Sequence, residues 1–368
     1  MANATAASAL DIDDGNRSAG GHPGAAVIPA VLAAVEGCEV SGRELLSAIA
    51  IGYEVAVRIS ASRDLASLYA LSTGRWGGYG ALAAAAWIRR TPQMQLAQAL
   101  AISGELSPWL IGSGFSRQMG NQIKEGIPWS VHAGLLSLEM ASNGMTGPLD
   151  LFDNADHFNG DAIVENFADP FQIEKTYFKP YACCRWIHSA LDALSELMNE
   201  NALRADDIVS IRVATVARGL TLNNEPDPKS IESAQYSFPF CLAALAVNGS
   251  AALLPMSTDL LGQTETVRLA ECIEVECDFA LDRLFPGKCP AEIYLKTRKG
   301  EWTRRVDDAL GDPDHPLSMD QLVEKFLILS TPTLGADWAG KLSRIILNLE
   351  DFVDTTELRE NLTAAVSV

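Results

Sequence analysis

The hydrophobic pattern of this chain changes its period near Tyr177. Before that residue, apolar side chains recur at helical spacing in one segment after another. After it, three segments alternate apolar and polar side chains as β-strands do, at residues 208–216, 272–277 and 291–297. A length of 368 residues exceeds what a single core usually holds, so two domains are expected. The pattern predicts a large helical domain and a smaller α+β domain.

The predicted domain organisation is discontinuous. We expect a first helical segment, an α+β domain and a returning helical segment at residues 1–175, 176–311 and 312–368. The proline-rich stretch from Asp312 to Pro316 has the composition of a linker that leaves the α+β domain. Ser318 with Gln321 then forms a capping pattern that predicts another helix. The expected fold class is mainly α, with an all-helical domain built from two parts of the chain.

Several helices have clear boundaries in the sequence. The main helical segments are predicted at residues 25–36, 45–59, 76–90, 129–142, 183–200, 236–248, 257–270 and 336–350. Ser41 and Glu44 form a capping box before the second of them. Pro92 is expected at the first position of a further helix. The segment at 76–90 is rich in Ala and Gly, which is typical of a tightly packed central helix.

Charge and cysteine usage exclude several classes of protein. The chain has 28 Lys and Arg against 47 Asp and Glu, a net charge of −19, which argues against a nucleic-acid partner. The longest apolar run, from Ala25 to Val35, is too short for a bilayer core of ~30 Å. Seven scattered cysteines fit a reducing compartment, and Cys183 and Cys184 with His188 do not match zinc-ligand spacing. We therefore expect a cytoplasmic protein with no membrane, nucleic-acid or metal partner.

Charged and glycine residues gather between Asp11 and His22. A calcium loop of the EF-hand type needs Gly at its sixth position and Glu at its twelfth, and here Gly15 is fifth and His22 twelfth. The acidic motif of some terpene cyclases is a weaker match, and turn or helix-cap carboxylates remain an alternative. His22 favours a functional interpretation, because an imidazole exchanges protons near neutral pH and a nearby carboxylate would raise its basicity.

Two lysines stand where a loop or a domain begins. Lys124 ends a glycine-rich loop, predicted between Ser103 and Pro128, that also carries Arg117 and Glu125. Lys179 begins the α+β domain in the sequence Lys-Pro-Tyr-Ala-Cys-Cys-Arg. Either lysine alone is typical of a solvated surface charge. Together with His22 they predict an anion pocket between the two domains.

The order of these motifs resembles the MmgE/PrpD family over essentially the whole chain. The resemblance rests on five stretches: Leu-Asp-Ile-Asp-Asp from Leu10 with His-Pro-Gly-Ala-Ala-Val from His22, Gly-Tyr-Glu-Val from Gly52, Lys-Glu-Gly-Ile-Pro-Trp from Lys124, Lys-Pro-Tyr with Cys-Cys-Arg and His188 from Lys179, and Ala-Gln-Tyr-Ser-Phe-Pro from Ala234. Members of this family combine a large helical domain with an α+β lid, usually as homodimers without metal or organic cofactor. The resemblance implies the same fold and assembly here.

The resemblance also implies a chemistry. The family includes 2-methylcitrate dehydratase, cis-aconitate decarboxylase and iminodisuccinate epimerase, which cleave a bond at a carbon next to a carboxylate of a small polycarboxylic acid. It implies catalytic roles for Asp11, His22, Lys124 and Lys179. His22 is expected to act as general base or acid, oriented by Asp11 or Asp14. Further contacts with the substrate are expected from Arg17, Arg75, Tyr181 and Arg185.

The chain departs from the usual family pattern at four places. Gly15 stands where lyase members tend to have Thr, and residues 69–76 contain no histidine although a His-Pro is common there. These two departures are closer to the epimerase-like branch. Phe240 replaces an aromatic residue that would carry a hydroxyl. The chain also begins after several helices that family members usually have.

These observations lead to three functional hypotheses. The leading one is a cofactor-independent lyase, similar to 2-methylcitrate dehydratase, that abstracts a proton α to a carboxylate of a small di- or tricarboxylic acid. The first alternative is an epimerase of an amino- or imino-dicarboxylate, since that reaction begins with the same proton abstraction. The second alternative is a shortened, catalytically silent relative that acts as a dimeric binding protein.

Overall fold

The computed structural model describes residues 1–65, 67–68, 71–108 and 122–365, with residues 364 and 365 described for their backbone only. Half of the predicted glycine-rich loop, including Arg117, lies outside these ranges, while Lys124 and Glu125 lie inside them. Among the helices of the described ranges, none is both long and apolar enough to cross a bilayer.

The first half of the chain is helical. Its helices are α1 (Ala2–Ala9), α2 (Pro23–Ala34), α3 (Gly42–Ala61), α4 (Gly77–Ile88), α5 (Gln93–Leu106), α6 (Ile127–Ser142) and α7 (Gly160–Val164). Helix α4 is buried along nearly its whole length, as the small side chains predict. At Gly80 an added Cβ would lie 2.5 Å from the carbonyl oxygen of Gly52, so α3 and α4 touch backbone to backbone. This contact holds α3 and α4 close together in the helical core.

The second half contains the only extended sheet in the described ranges. Two short strands precede this sheet in the chain and do not belong to it, β1 (Gly15–Asn16) and β2 (Thr176–Tyr177). The sheet itself consists of β3 (Ile208–Thr215), β4 (Ile273–Cys277), β5 (Ala291–Thr297) and β6 (Gly300–Val306). The longer strands form a sheet in the order β4-β3-β5-β6, in which β3 and β4 are parallel and the other pairs antiparallel. The helices of this half are α8 (His188–Glu200), α9 (Ile231–Ala234), α10 (Phe238–Asn248), α11 (Thr264–Ala270) and α12 (Phe279–Asp282).

The structure corrects several predicted boundaries. The helix expected at 257–270 begins only at Thr264, because Gly262 adopts a left-handed φ of 69° and interrupts it. The helix expected at 183–200 begins at His188 after a single 3₁₀ turn. Pro92 is the extended cap residue of α5 and not its first helical residue. Strand β6 was not predicted, because an edge strand with no buried residue shows little apolar alternation.

A short strand pair joins the two halves of the chain. Gly15 of β1 pairs with Tyr177 of β2, and Asn16 pairs with Thr176. The Asn16 side chain also donates to the carbonyl of Gln172, 3.0 Å away. The charged amino-terminal segment is thereby fixed against the start of the α+β part.

The end of the chain returns to the helical core. Its helices are α13 (Met319–Leu334), α14 (Ala336–Leu347) and α15 (Thr356–Ala365). Leu342, Ile345 and Leu349 are buried in one apolar cluster with Val31 and Leu45 of the first half. Ser318 and Gln321 form the predicted capping box of α13. The prediction of a mainly α fold with a discontinuous helical part and a smaller α+β part is confirmed, and the exact domain limits stay a prediction.

Candidate active site

A cavity opens between the amino-terminal segment and the start of the α+β part. It is open to solvent, and together with the solvent space at its mouth it comprises about 820 Å³. Its innermost lining consists of Asp11, Lys179 and Tyr236, all buried, with His22 and Glu125 beside them. Two of the predicted substrate-binding residues, Arg17 and Arg185, also line it. Four predicted site residues therefore share this cavity with Asp11.

Strained backbone marks the same place. Asp11, Lys124 and Glu125 all have a left-handed φ, of 54°, 44° and 57°. Residues with a side chain rarely adopt this conformation, and it persists only where the surrounding structure imposes it. In the 3₁₀ turn of residues 124–126 it turns the Glu125 side chain toward the cavity while Lys124 lies behind the wall. The strained backbone positions are thus those of three charged residues that line the cavity or lie next to it.

Lys179 lies at the centre of a buried ion cluster. Its side chain has no exposed surface, and its Nζ is 3.3 Å from Asp13 Oδ1 and 3.5 Å from Asp11 Oδ2. Lys124 Nζ is 3.9 Å from the other oxygen of Asp11, and it donates to the side-chain oxygen of Gln235. Burial lowers the pKa of Lys179, but Asp11 and Asp13 outweigh it and raise the pKa above its ordinary value. Lys179 is therefore a permanent cation of the cavity.

Asp11 is an ionised carboxylate in this cluster. Burial raises its pKa, but Lys179, Lys124 and His22 lower it by more, so the pKa lies below its usual value. The Tyr236 hydroxyl donates to Asp11 Oδ1 over 3.2 Å. Tyr236 belongs to the Ala-Gln-Tyr-Ser-Phe-Pro stretch and lines the cavity, whereas Phe240 is buried in the core.

His22 has a fixed tautomer. Its Nδ1 is 2.6 Å from the backbone carbonyl oxygen of Asp14, and a carbonyl oxygen can only accept, so Nδ1 carries a proton. The other nitrogen, Nε2, is 3.7 Å from Glu125 Oε1. Nε2 is therefore the position that gains or loses a proton. A neutral His22 is a base whose lone pair lies on the side of Glu125.

The surroundings of His22 make it more basic. Burial lowers its pKa and Lys179 does so too, but the carboxylates of Asp13, Glu125 and Asp11 outweigh both and raise the pKa above 6.5. The Asp13 carboxylate is 3.7 Å from Nδ1. The Asp14 carboxylate is turned away, because it accepts from the Gly24 amide at 3.0 Å and the Tyr53 hydroxyl at 2.7 Å. Asp14 thus orients His22 through its backbone, and Asp13 faces it through its carboxylate.

Glu125 is held in place by Thr73. Its Oε2 accepts from the Thr73 amide at 2.8 Å and from the Thr73 hydroxyl at 2.9 Å. The same hydroxyl accepts from the His22 amide at 2.9 Å. Glu125 Oε1 is left facing His22. The sequence analysis placed Glu125 in a loop and assigned it no role in the site. Its position next to Lys124 was the one sequence feature that could have indicated such a role.

Arg17 and Arg185 share one carboxylate. Arg17 binds Asp312 in two-pronged fashion, with Nε 2.9 Å from Oδ1 and Nη2 2.5 Å from Oδ2. Arg185 Nη2 is 2.7 Å from the same Oδ2 and also donates to the carbonyl of Ala309. Asp312, which the sequence identified only as a linker residue, therefore neutralises part of the charge of both arginines.

Two predicted substrate-binding residues lie outside the cavity lining. The Tyr181 hydroxyl donates to Asp192 Oδ1 over 2.8 Å within the core of the α+β part. Arg75 lies beside Arg63, whose pKa is lowered to about 10 by burial and then by the Arg75 charge. Direct contact of either residue with a substrate stays a prediction.

Cys183 and His188 are linked by a hydrogen bond inside the fold and do not line the cavity. Arg185 Nη1 donates to His188 Nδ1 at 3.1 Å, so His188 Nε2 carries the proton and donates to the carbonyl of Cys183. Burial, and then the charges of Arg185 and Lys179, lower the pKa of His188 well below its ordinary value. Within the described ranges, no three His, Cys, Asp or Glu side chains come together as metal ligands would.

The absence of a side chain at Gly15 has a structural reason. A Cβ at this position would lie 2.1 Å from the ring carbon Cζ of Tyr177, the residue paired with it between β1 and β2. The Tyr177 ring lines the cavity and also stacks on Arg185, with 4.8 Å between the guanidinium carbon and the ring centroid. Tyr177 thus fills the space that a larger residue at position 15 would need.

Replacing Gly15 with alanine is expected to lower the free energy of unfolding by about 1–3 kcal/mol, because the Tyr177 ring must move. Chemical denaturation measures this change. The matched control is Gly160→Ala, since a Cβ at Gly160 meets only one atom, at 3.6 Å. Equal stability of the two variants would contradict the close packing of Tyr177 on Gly15.

Sequence comparisons identify the family of this chain. The MmgE/PrpD N-terminal domain matches residues 1–168 and the MmgE/PrpD C-terminal domain matches residues 181–351. The human cis-aconitate decarboxylase is 24% identical over 383 aligned positions, which cover 97% of this chain and 77% of that protein. The cis-aconitate decarboxylase of Aspergillus terreus is 23% identical over 411 positions, covering 100% of this chain and 81% of that protein. Because the two family domains together account for most of its length, the chain belongs to the MmgE/PrpD family.

Proposed function

We propose that this protein is a lyase-type enzyme that removes a proton from the carbon next to a carboxylate of a small di- or tricarboxylic acid. The observation that carries the proposal is the fixed tautomer of His22, whose Nε2 is the basic nitrogen, in a cavity that the buried cation Lys179 also lines. The named relatives support the reaction class, because both are cis-aconitate decarboxylases. Their low identity leaves the substrate of this chain a matter for experiment.

In the first step, His22 Nε2 takes the proton of the substrate C–H bond. The electron pair of that bond moves toward the adjacent carboxylate, which becomes enolate-like and gains negative charge. Lys179 offers a cation to this charge in a nearly water-free place, where an electrostatic contact is worth more than in water. Glu125 at 3.7 Å offers a carboxylate to the new imidazolium. The site thus has a counter-charge for each charge that develops.

In a dehydratase-like second step, the electron pair returns, a double bond forms and the hydroxyl at the neighbouring carbon leaves as water. The leaving oxygen needs a proton, and the imidazolium of His22 carries one. The proton balance closes without any further reactant.

Epimerisation is the second candidate. In that reaction a second group returns a proton to the opposite face of the carbon, so no bond other than C–H is broken. Gly15 with the Tyr177 ring against it favours this candidate, since the resemblance relates a residue other than Thr at this position to the epimerase-like branch. An amino- or imino-dicarboxylate would be the substrate.

Solvent deuterium exchange tests the proposal. The full chain in D₂O is incubated with cis-aconitate, 2-methylcitrate and aspartate-type dicarboxylates, and proton NMR follows the α-hydrogens and any product. We expect exchange with at least one acid, and the product then distinguishes dehydration, decarboxylation and epimerisation. If folded protein exchanges no α-hydrogen of any acid, the enzyme proposal fails and the silent binding protein becomes the better hypothesis.

A further inference from the structure

The segment of residues 11–14 connects the end of α1 to β1. Three of its four backbone carbonyl oxygens accept hydrogen bonds from side chains outside the segment. The pairs are Lys179 Nζ with Asp11 at 3.2 Å, Lys325 Nζ with Ile12 at 2.8 Å, and His22 Nδ1 with Asp14 at 2.6 Å. We propose that Lys325 is a positioning residue, which holds the backbone at Ile12 so that the Asp13 carboxylate stays beside His22. This inference rests on the proposed function and adds a residue to the same site.

Lys325 reaches this segment from the returning part of the chain. It lies in α13, 313 positions away from Ile12 in the sequence. The next residue, Phe326, packs against the apolar cluster of the helical core, so the lysine extends from a helix that is itself anchored. Lys325 is not among the described residues that line the cavity. Its effect on the site therefore passes through the segment that it binds.

The peptide unit that Lys325 binds is the one that places Asp13. The Ile12 carbonyl and the Cα of Asp13 belong to the same planar unit, so a donor fixed to that oxygen also fixes where the Asp13 side chain begins. The Asp13 carboxylate has Oδ1 3.3 Å from Lys179 Nζ and Oδ2 3.7 Å from His22 Nδ1. The left-handed φ of 54° two residues earlier is maintained only by its surroundings. The segment therefore needs contacts from other parts of the chain to keep this geometry.

The surroundings of Lys325 differ from those of a solvated surface lysine. Burial, and then the charge of Lys179, lower the pKa of Lys325 to about 8. Other titratable groups that its charge affects, or that affect it, are Asp13 and Asp14, which raise its pKa, Arg185, which lowers it, and His188, whose own pKa it lowers. Lysine side chains are mostly exposed, and one that is held among these groups indicates a specific contact.

Titration of His22 tests the inference, because two different roles of Lys325 predict opposite changes. The Asp13 carboxylate raises the pKa of His22 more than any other charge does. If Lys325 positions Asp13, Lys325→Met lets that carboxylate move away from the imidazole, and the pKa of His22 falls. If Lys325 acted only as a nearby positive charge, its removal would raise the pKa of His22.

NMR on the full chain with isotope-labelled histidine rings measures this titration, and the His22 signal is the one that His22→Gln removes. We expect the midpoint in Lys325→Met to lie at least about 0.5 pH below that of the native protein. Lys325→Leu replaces this variant if it fails to fold, and Lys325→Arg, which keeps the donor and the charge, should retain the native midpoint. Glu324→Gln is the matched control, because Glu324 is an exposed neighbour on α13. A higher or unchanged midpoint in Lys325→Met would overturn the inference.

A second variant shows whether the effect passes through Asp13. In an Asp13→Asn background, Lys325→Met should no longer lower the midpoint, because no charge remains at position 13 to be displaced. A fall of the same size in both backgrounds would overturn the inference. The titration needs no substrate, so a lowered midpoint without any solvent exchange would sustain the role of Lys325 and contradict the proposed function. Solvent exchange with the same rate and pH profile in the native protein and Lys325→Met would sustain the proposed function and overturn this inference.

Discussion

Replacement of Lys179 by methionine is expected to lower the free energy of unfolding by about 3–5 kcal/mol at pH 7, because it leaves buried carboxylates without their cation. Lys179 has no exposed surface, and its Nζ lies within 3.5 Å of oxygens of both Asp11 and Asp13. Lys124 is the only other lysine of the described residues in ion-pair distance of Asp11, and its Nζ is 3.9 Å away. Chemical denaturation followed by circular dichroism measures the loss.

The loss in free energy of unfolding caused by Lys179→Met should depend on pH. In the native protein the pKa of Asp11 is lowered below 3.8, since Lys179, Lys124 and His22 outweigh the effect of burial. That carboxyl therefore contributes stability that is present above pH 3.8 and is lost as the pH falls through its lower folded pKa. Without Lys179 the effect of burial is less opposed and the pKa rises, so the folded variant takes up a proton as the pH falls. The difference from the native protein should shrink between pH 7 and pH 4.

Lys175→Met is the matched control for this prediction. Lys175 lies in the same stretch of chain and is exposed, with its Nζ 3.4 Å from the side-chain oxygen of Gln172. Its replacement should change the free energy of unfolding by less than about 0.5 kcal/mol. Similar losses in both lysine variants, or a deficit of Lys179→Met that grows as the pH falls, would contradict the description of a buried ion cluster.

Local rules predicted the elements of the fold well. The capping boxes of Ser41 and Ser318 begin α3 and α13 as expected, and strand β5 has the predicted limits at Ala291 and Thr297. These features depend on neighbours in sequence, which is why periodicity and capping identify them. A predicted helix boundary was wrong where a single residue determined it, as Gly262 did before α11.

The candidate site was predictable only in part. Asp11, His22, Lys124 and Lys179 could be singled out because each lies in a short charged or glycine-rich motif. Asp312 could not, because its partner Arg17 is 295 positions away and no local pattern records that pairing. Trp186 and Phe285 face the cavity through turns, where neither helical nor strand period applies. A contact between segments that are distant in sequence can be identified only when the fold is known.

His22→Gln is expected to lower the rate of α-proton exchange by about 10²–10⁴-fold, because the general base is lost. The neutral imidazole is the active form, and the pKa of His22 is raised above 6.5. Activity should therefore rise with pH through that raised pKa. The exposed His132 of α6 offers a control, and His132→Gln should leave both rate and pH profile unchanged.

Glu125→Gln separates the role of the neighbouring carboxylate from that of the base. Glu125 is one of the groups that raise the pKa of His22, so its neutralisation lowers that pKa. A glutamine oxygen can still accept both hydrogen bonds of Thr73, which keeps the side chain in place. The acidic limb of the profile of kcat/KM should then move to lower pH. Since a more acidic imidazole is a weaker base, the plateau rate at high pH should fall as well, and an unmoved acidic limb would show that Glu125 does not act on His22.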